Sequence, residues 1–530
     1  MELTNVLRIL LLLIATTVTA VTSQTVSRDI NHALLARLRL DEPLLHNVID
    51  SSTSISLEPH YNETLQTLAQ LLNTTASIKT NATEAIASAA YSLAHDRSLS
   101  GDVVAEKLKA LNVLVDSLPQ KVASLPAVRR SLVASLVLRR LNDGPFEPGE
   151  QLQSAERLLL QLFHLHKAAA LRKKAVEFTH VSKSGGTSFC QLGRSNGCAT
   201  ESFHPFHNCL VEGFDDDPRY INGSVHAALR GRSRTRCYKP FKAMKLRRTE
   251  LSCQDRRRRL TSRGYTFYAN EYTAFGGRQD PRLAHPCTNM MTVLQLRHPY
   301  TRVISHIKHM WAAYRSHCKE DRAVFFAQGH DTPVWTQLAP APTNNYLIRS
   351  LLGEAVFNLP AGHITPDHLE LAKAFLTQQY DVLLVLEDAD LSAQAMRFGL
   401  GWEEHARHAN EEHKDPESGL PTNLDMLRRL NRLDLEAYKH GVVMARLDAV
   451  LYDMALAARE AEAAAAVAVA AAEAGEAAAG GAEAREAAAE AVPTEAEAAV
   501  VEAETAESVS GAEGEVKQLV EATVAQEQVG

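Results

Sequence analysis

Residues 177–189 read EFTHVSKSGGTSF, and this stretch predicts the fold more strongly than any other part of the 530-residue chain. A short apolar run leads into a lysine, two glycines and two hydroxyl residues, and a helical pattern follows. The glycines can adopt positive φ and so let backbone N–H groups approach an anion. The first turn of the following helix adds the positive end of its dipole. The pattern predicts a strand–loop–helix phosphate cradle formed by Lys183, Ser184, Gly185, Gly186, Thr187 and Ser188.

The order of residues separates this loop from that of nucleoside-triphosphate-binding proteins. Their pattern, G-x-x-x-x-G-K-[ST], has its lysine after the glycines, whereas Lys183 lies two residues before Gly185. Taken alone, the segment is equally consistent with a tight turn before a helix. A second basic segment further along the chain favours the phosphate cradle.

That second segment, residues 293–306, reads VLQLRHPYTRVISH. It is again an apolar run that ends in a basic residue, Arg297. Pro299 suits the first turn of a helix, since the N–H that proline lacks would have no partner there. Arg297 at the strand end and Ser305 two turns into the helix could then converge on one phosphate group.

The two segments resemble the 5′-phosphosulfate loop and the 3′-phosphate element of sulfotransferases that use 3′-phosphoadenosine 5′-phosphosulfate (PAPS). The first is similar to the family's H-x-P-K-T-G-G-T-S and the second to its L-R-D-P-x-x-R-x-x-S. Ser182, Ser184 and His298 differ from the commonest residues, but no charge or glycine that the chemistry needs is lost. Residues 344–349 resemble the segment that closes over the adenosine. A strand, a Leu-Gly-Trp turn and a final helix follow in the family's order, so the resemblance covers roughly 175–455.

This resemblance implies an α/β fold in which a P-loop-like parallel sheet is flanked by helices, as in the sulfotransferases. It also implies that PAPS is the sulfuryl donor and that the site needs no metal. Lys183 would stabilise charge on the departing 5′-phosphate, which the amides and hydroxyls of the loop would hold. Arg297 and Ser305 would bind the 3′-phosphate.

The acceptor hydroxyl needs a general base, about which the resemblance is less informative. The chain looks closest to the 6-O-type heparan sulfotransferases, which carry a histidine in a segment before the second motif. The corresponding residues 266–273 read TFYANEYT and contain no histidine. Glu271 is the candidate base, because other sulfotransferases use a glutamate. A structural Glu271, paired with a nearby arginine, is an equal alternative, and His204 and His207 are in reserve.

A dense basic region lies between the two cofactor motifs. It comprises Arg230, Arg232, Arg234, Arg236, Lys239, Lys242, Lys245, Arg247, Arg248 and the run from Arg256 to Arg259. A solvated loop is the default interpretation of such a region, but its position suits an anionic acceptor. A sulfated or uronate-bearing polysaccharide and an acidic peptide around a tyrosine both fit. Nucleic acid is not expected, because the N-terminus indicates the secretory pathway.

The C-terminal tail conceals the basic character of the rest of the chain. Residues 459–530 contain 3 Lys or Arg and 16 Asp or Glu, against 56 and 63 in the whole chain. The tail therefore has a net charge of −13 and the remainder +6, which suits a polyanionic cofactor. Because the tail is mostly alanine and glutamate, it is expected to be disordered or transiently helical.

The N-terminal segment indicates a lumenal protein. The apolar run at residues 6–21 is short for a membrane span, and small residues at its end favour a cleaved signal peptide. A type II membrane anchor, as in Golgi members of the family, is the alternative. Three Asn-x-Ser/Thr sequons cluster at Asn62, Asn73 and Asn81, and a fourth is at Asn222. We therefore expect the Golgi lumen as the location.

Seven cysteines occur, at positions 190, 198, 209, 237, 253, 287 and 318. In an oxidising lumen they allow up to three disulfides with one cysteine left over. Cys190, which follows the phosphate loop, is expected to be the odd one.

Four segments result from these patterns. Residues 1–23 are a signal peptide or anchor, 24–174 a helical stem, 175–455 the sulfotransferase domain and 456–530 the acidic tail. A stem that spaces the catalytic domain from the membrane is favoured, and an oligomerising helical bundle is the alternative.

Together the patterns predict a lumenal, PAPS-dependent sulfotransferase that acts on a hydroxyl of a polysaccharide or glycan. A tyrosylprotein sulfotransferase is the nearest variant, and a catalytically inactive glycan-binding relative is another class. A nucleoside-triphosphate kinase is disfavoured by the reversed lysine–glycine order and by the lack of an evident Mg²⁺-binding aspartate after a strand.

Overall fold

The computed structural model describes residues 33–38, 64, 66–68, 71, 81–96, 99–118, 125–204, 207–230, 243–317, 332–403, 420–421 and 423–490. Contacts divide the chain into two units. The described residues up to 459 belong to one unit, which contains the sheet and the candidate site, and residues 460–490 belong to the other.

Four short strands form one parallel sheet. They are β1 (Val176–Thr179), β2 (Phe267–Asn270), β3 (Met291–Leu296) and β4 (Val382–Val385), in the order β2-β1-β3-β4. Every neighbouring pair is parallel. The strands are almost entirely buried, which explains their continuous apolar sequences. The prediction of an α/β fold with a parallel sheet flanked by helices is confirmed.

Helices precede, connect and follow the strands. Before β1 come α1 (Asn81–His95), α2 (Gly101–Asp116), α3 (Leu125–Asp143) and α4 (Glu150–Lys173). Between β1 and β2 lie α5 (Gly186–Ser195), α6 (Gly223–Arg230) and α7 (Cys253–Ser262). Between β3 and β4 lie α8 (Pro299–His317), α9 (Thr332–Leu338), α10 (Pro340–Thr343), α11 (Tyr346–Leu351), α12 (Glu354–Phe357) and α13 (Pro366–Gln378). After β4 come α14 (Ala389–Gln394), a π-helical turn (Ala395–Leu400), α15 (Leu424–Leu430) and α16 (Arg432–Glu490).

The strand order makes β1 a topological switch point. From β1 the chain crosses to β2 on one side of β1 and then to β3 on the other. In open parallel sheets, ligands bind in the crevice beyond the carboxyl ends of the strands at such a point. The residues that follow β1, β2 and β3 therefore lie at the edge of the sheet where a ligand is expected.

The helices that precede β1 pack on the same hydrophobic core as the sheet. Buried apolar residues of α1 to α4 and of the four strands form one continuous cluster. In the same region, Asp448 of α16 pairs with Arg129 at 2.8 Å and with Arg130 at 2.7 Å, both from α3. All three side chains are almost inaccessible to solvent. Packing is thus continuous across the boundary predicted at residue 174.

An aromatic cluster fixes α5 against the sheet. Phe189 of α5 lies 4.5 Å from Phe178 of β1 and 5.0 Å from Trp402, measured between ring centroids. Trp402 is the tryptophan of the predicted Leu-Gly-Trp turn, and it is buried. Because Phe178 and Phe189 stand on either side of the predicted phosphate loop, their packing holds both ends of that loop.

Both ends of the chain extend beyond the described residues. Residues 1–23, with the predicted signal peptide or anchor, lie outside them, as do Asn62 and Asn73. Within the described part, no helix is long and apolar enough to span a bilayer. The helix α16 continues to Glu490, so the first part of the Ala/Glu-rich tail is helical, and residues 491–530 lie outside the description.

The prediction that Cys190 is the unpaired cysteine is wrong. Cys190 is bonded to Cys209, and Cys253 to Cys287, whereas Cys198 has a free thiol. The physical reason is that the chain after α5 returns along the outer edge of β2, where the Ala269 N–H donates to the Cys209 carbonyl at 3.0 Å. This course brings position 209 back to α5. The cysteines at 237 and 318 lie outside the described residues.

Candidate functional site

The loop between β1 and α5 contains residues with positive φ, and a contact between the glycine-loop motif and the Arg297 motif stabilises this conformation. Lys183 has φ 69° and Gly185 φ 84°. A left-handed conformation costs a lysine energy that it does not cost a glycine, and it persists where surrounding contacts maintain it. Here Arg297 Nη1 donates to the Lys183 carbonyl at 2.7 Å. The two basic motifs are therefore in direct contact, although 114 residues separate them.

Gly186 allows the loop to pass directly over a buried imidazole. A Cβ atom at this position would overlap the ring of His180. His180 is itself buried and stacks on Phe178, with the ring centroids 5.5 Å apart. No side chain fits at residue 186 unless His180 moves, so the close approach explains this glycine.

Lys183 lies between two opposite charges. Its side chain is half-buried, and burial lowers the pKa of Lys183 below its ordinary value. The negative charge of Glu271 opposes this shift, and the positive charge of Arg297 adds to it. The lysine that follows β1 thus interacts electrostatically with the charged residues that follow β2 and β3.

Glu271, at the end of β2, is held by the loop that it faces. Ser182 Oγ donates to Glu271 Oε1 at 2.9 Å, and Asn208 Nδ2 donates to Oε2 at 3.2 Å. His180 Nδ1 lies 3.6 Å from the same Oε2. The Glu271 residue is only 8% exposed. The structure therefore brings Glu271 and Lys183 into one site.

Tyr346 extends this network beneath the loop. Its hydroxyl donates to Ser182 Oγ at 3.2 Å, and burial raises the pKa of Tyr346 above its ordinary value. The whole segment 344–349, expected to lie over the adenosine, is buried. In the described structure this segment supports the loop from inside the fold.

A small, closed pocket beside the loop is lined by charged residues of both signs. Its lining includes Ser184, Arg297, Arg302 and Asp434. The Ser184 hydroxyl is buried without a hydrogen-bond partner among the described residues. Arg302 lies over the ring of Tyr346, and burial lowers the pKa of Arg302 to about 10.

Ser305, predicted to bind the 3′-phosphate with Arg297, lies on α8. It is half-buried and is not among the residues that line the pocket. Arg302, one turn closer to the start of α8, lines it instead. The structure thus brings Arg297 together with the loop, but it does not place Ser305 in that pocket.

The loop hydroxyls differ in their surroundings. Thr187 and Ser188 are half-buried in the first turn of α5. Thr187 Oγ1 donates to Asn208 Oδ1 at 2.9 Å. The Thr187 hydroxyl proton is therefore already engaged within the fold.

Two arginines of the basic region belong to the fold rather than to the surface. Arg256 Nη1 lies 2.5 Å from Asp216 Oδ2, and Arg247 Nε lies 3.2 Å from Asp216 Oδ1. All three residues are buried. Arg258 and Arg259 are exposed, so they remain available to an acceptor. Residues 231–242 lie outside the described part.

The reserve histidines lie at the surface. His204 and His207 are both exposed, with their rings 5.6 Å apart in an edge-to-face arrangement. Neither side chain is among the groups described around Lys183 and Glu271.

Several residues of the site are not singled out by the sequence motifs. His180 and Arg302 stand inside the quoted motifs, so their positions in those motifs were an available signal. Asn208 and Asp434 lie outside the motifs, and no sequence pattern indicates them, because their contacts with the loop region arise only from tertiary folding.

No protein-family model, curated protein or solved structure matches this chain.

Proposed function

We propose that the protein is a sulfotransferase that moves the sulfuryl group of PAPS to a hydroxyl of a polysaccharide or glycan by in-line transfer. One observation carries the proposal. Lys183, Glu271 and Arg297 follow three neighbouring parallel strands and meet at one edge of the sheet. A mobile cation, a carboxylate and an anchoring guanidinium around a glycine loop are the groups that this chemistry requires.

The loop fits a phosphosulfate group on physical grounds. Gly185 provides the left-handed turn, and α5 begins at Gly186, so backbone N–H groups and a helix N-terminus are available to an anion. Ser184 carries a buried hydroxyl without a partner in the described structure. Buried polar groups rarely remain unsatisfied, and an oxygen of the ligand would complete this one. Arg297 would supply positive charge for the second phosphate, and Arg302, which is buried and donates to the Pro342 carbonyl, would add to it from within the fold.

When bound, PAPS supplies a sulfuryl group attached to a phosphate leaving group. Lys183 would stabilise the charge that develops on that phosphate. Arg297 would hold the cofactor and, through the Lys183 carbonyl, the left-handed backbone of the loop. Glu271 would accept the proton of the acceptor hydroxyl. Since transfer of this kind depends on alignment, the close packing around the loop would help to align the reacting groups.

Replacing Glu271 by glutamine distinguishes a base from a purely structural carboxylate. Glutamine keeps the size of the side chain and can still accept from Ser182, but it cannot take a proton. We expect turnover to fall roughly 10²-fold, while the affinity for adenosine 3′,5′-bisphosphate changes less than about threefold. Steady-state kinetics and calorimetry measure the two quantities.

The control for this variant is Glu370→Gln on the exposed face of α13, which should leave both quantities unchanged. Turnover within about threefold of the native rate in Glu271→Gln would assign Glu271 to loop support alone. The base would then have to be sought elsewhere.

Within the basic run from Arg256 to Arg259, Arg258 and Arg259 are exposed. We expect these two arginines to bind an anionic acceptor. Exposed charge pairs contribute roughly 0.2–1 kcal/mol each, so changing both to serine should raise the KM for a polyanionic acceptor about three- to tenfold. The effect should weaken as salt is added. The same change at exposed Arg157 of α4 is the control, and an equal KM in both variants would contradict this assignment.

Transfer of radiolabelled sulfate from PAPS to a panel of desulfated polysaccharides and acidic tyrosine peptides tests the proposed function. Label in a polysaccharide supports it, and label in a peptide alone assigns a tyrosylprotein acceptor. Polysaccharide binding without any transfer identifies a catalytically inactive relative. The Golgi lumen is the proposed compartment, and the two disulfides are compatible with its oxidising conditions.

A further inference from the structure

Asn208 connects two parts of the candidate site. Its Oδ1 accepts a hydrogen bond from Thr187 Oγ1 at 2.9 Å, and its Nδ2 donates to Glu271 Oε2 at 3.2 Å. Thr187 belongs to the first turn of α5, and Glu271 follows β2. One amide group therefore joins the phosphate loop to the carboxylate at the end of the neighbouring strand.

The side-chain amide of Asn208 satisfies the hydrogen-bonding groups of both neighbours at once. An ionised carboxylate accepts hydrogen bonds and cannot donate them, so the NH2 group of Asn208 faces Glu271. The amide oxygen then faces Thr187 and accepts its hydroxyl proton. Aspartate has the same shape but would bring a second negative charge next to Glu271. Alanine would remove this partner from both polar groups.

The backbone that presents Asn208 is strained and firmly held. Asn208 has φ 46° and Cys209 φ 57°, so two successive residues other than glycine are left-handed. Such conformations persist where the surrounding structure over-determines them. The disulfide between Cys190 and Cys209 ties the segment to α5, and the Cys209 carbonyl accepts from the Ala269 N–H of β2 at 3.0 Å. The segment is thus fastened to both elements that the Asn208 side chain bridges.

We propose that Asn208 is a positioning residue that sets the Glu271 carboxylate against the phosphate loop, and that the Cys190–Cys209 disulfide keeps it there. Asn208 acts through Thr187 and Glu271 rather than on a reacting atom. The expected effect on the rate rests on the proposed sulfuryl transfer. The expected effect on the loop holds whatever reaction the protein performs.

Three variants of the full chain test this inference: Asn208→Ala, Asn208→Asp and the double variant Cys190→Ser/Cys209→Ser. The matched control is Asn196→Ala, because Asn196 is the C-cap of the same helix α5 and lies at its opposite end from the loop. Hydrogen exchange of residues 180–189 is followed by mass spectrometry. In parallel, kcat and KM for PAPS are measured with a desulfated polysaccharide as acceptor.

We expect exchange in the loop to accelerate about tenfold in Asn208→Ala and in the double cysteine variant, since each loosens the same linkage. The kcat should fall about tenfold with KM changed less than about threefold, and Asn208→Asp should lower kcat roughly 100-fold. Adding Asn208→Ala to the double cysteine variant should lower kcat little further, because two changes in one linkage are not additive. The control should behave as the native protein.

Loop exchange in Asn208→Ala equal to that in Asn196→Ala overturns the inference, with or without sulfotransferase activity. Faster exchange combined with an unchanged kcat also overturns it, because the loop would then be looser without consequence for positioning. If the native protein shows no PAPS-dependent transfer but its loop exchange responds as expected, the proposed function fails. The role of Asn208 in holding Glu271 against the loop then stands.

Discussion

Replacing Lys183 by alanine is expected to lower sulfuryl transfer about 10³-fold, while the affinity for adenosine 3′,5′-bisphosphate falls less than about tenfold. In the proposed mechanism the lysine would act mainly on charge that develops during transfer, whereas the product would be held mostly by the loop amides and Arg297. An interaction that strengthens in the transition state affects kcat more than binding. Single-turnover kinetics and calorimetry with the bisphosphate measure the two effects separately.

Lys174 offers a closely matched control for this variant. It is an exposed lysine at the C-cap of α4 with φ 58°, a positive φ like that of Lys183 at 69°. Lys174→Ala carries the same change in side chain and in backbone preference, but it lies outside the loop. Its turnover should remain native. A Lys183→Ala protein that turns over within about threefold of native would contradict the assignment of Lys183.

Gly186→Ala is expected to abolish binding of the bisphosphate and to destabilise the fold. The new methyl group would overlap the buried His180 ring, and His180 can yield only by leaving its stack on Phe178 and its place beside Glu271. Overpacking of this kind costs about 1–3 kcal/mol. Thermal unfolding and calorimetry with the bisphosphate should therefore both respond.

Gly193→Ala, on the same helix, is the control for Gly186→Ala. The nearest heavy atom to a Cβ at Gly193 is 3.6 Å away, on the ring of Phe267, which is an ordinary contact. Alanine in a helix interior is favoured over glycine by roughly 1 kcal/mol, so this variant should be as stable as the native protein or more so. Equal bisphosphate affinity in the two alanine variants would show that the close approach of the loop to His180 has no functional importance.

The parallel sheet was predictable because its signals are local. Each strand is a short apolar run, and the glycine loop and Pro299 mark where helices begin after β1 and β3. Parallel strands place their carboxyl ends at one edge, so Lys183 and Arg297 could be expected to lie near each other. The contact between Arg297 and the Lys183 carbonyl gives that expectation a specific form.

The rest of the site depends on long-range packing that no local pattern contains. The return of the chain along the edge of β2 determines both the Cys190–Cys209 disulfide and the place of Asn208. Likewise, a run of arginines looks uniformly solvated in sequence, yet Arg256 is buried because Asp216 lies opposite it. Charge runs therefore indicate an anionic partner only after their buried members are identified.

Release of adenosine 3′,5′-bisphosphate from PAPS, with and without a desulfated polysaccharide, tests the central claim most directly when the native protein and Lys183→Ala are compared. The account predicts acceptor-dependent release by the native protein and a rate about 10³-fold lower in the variant. The absence of acceptor-dependent release by the native protein across the polysaccharide panel, or equal rates in the two proteins, would contradict it.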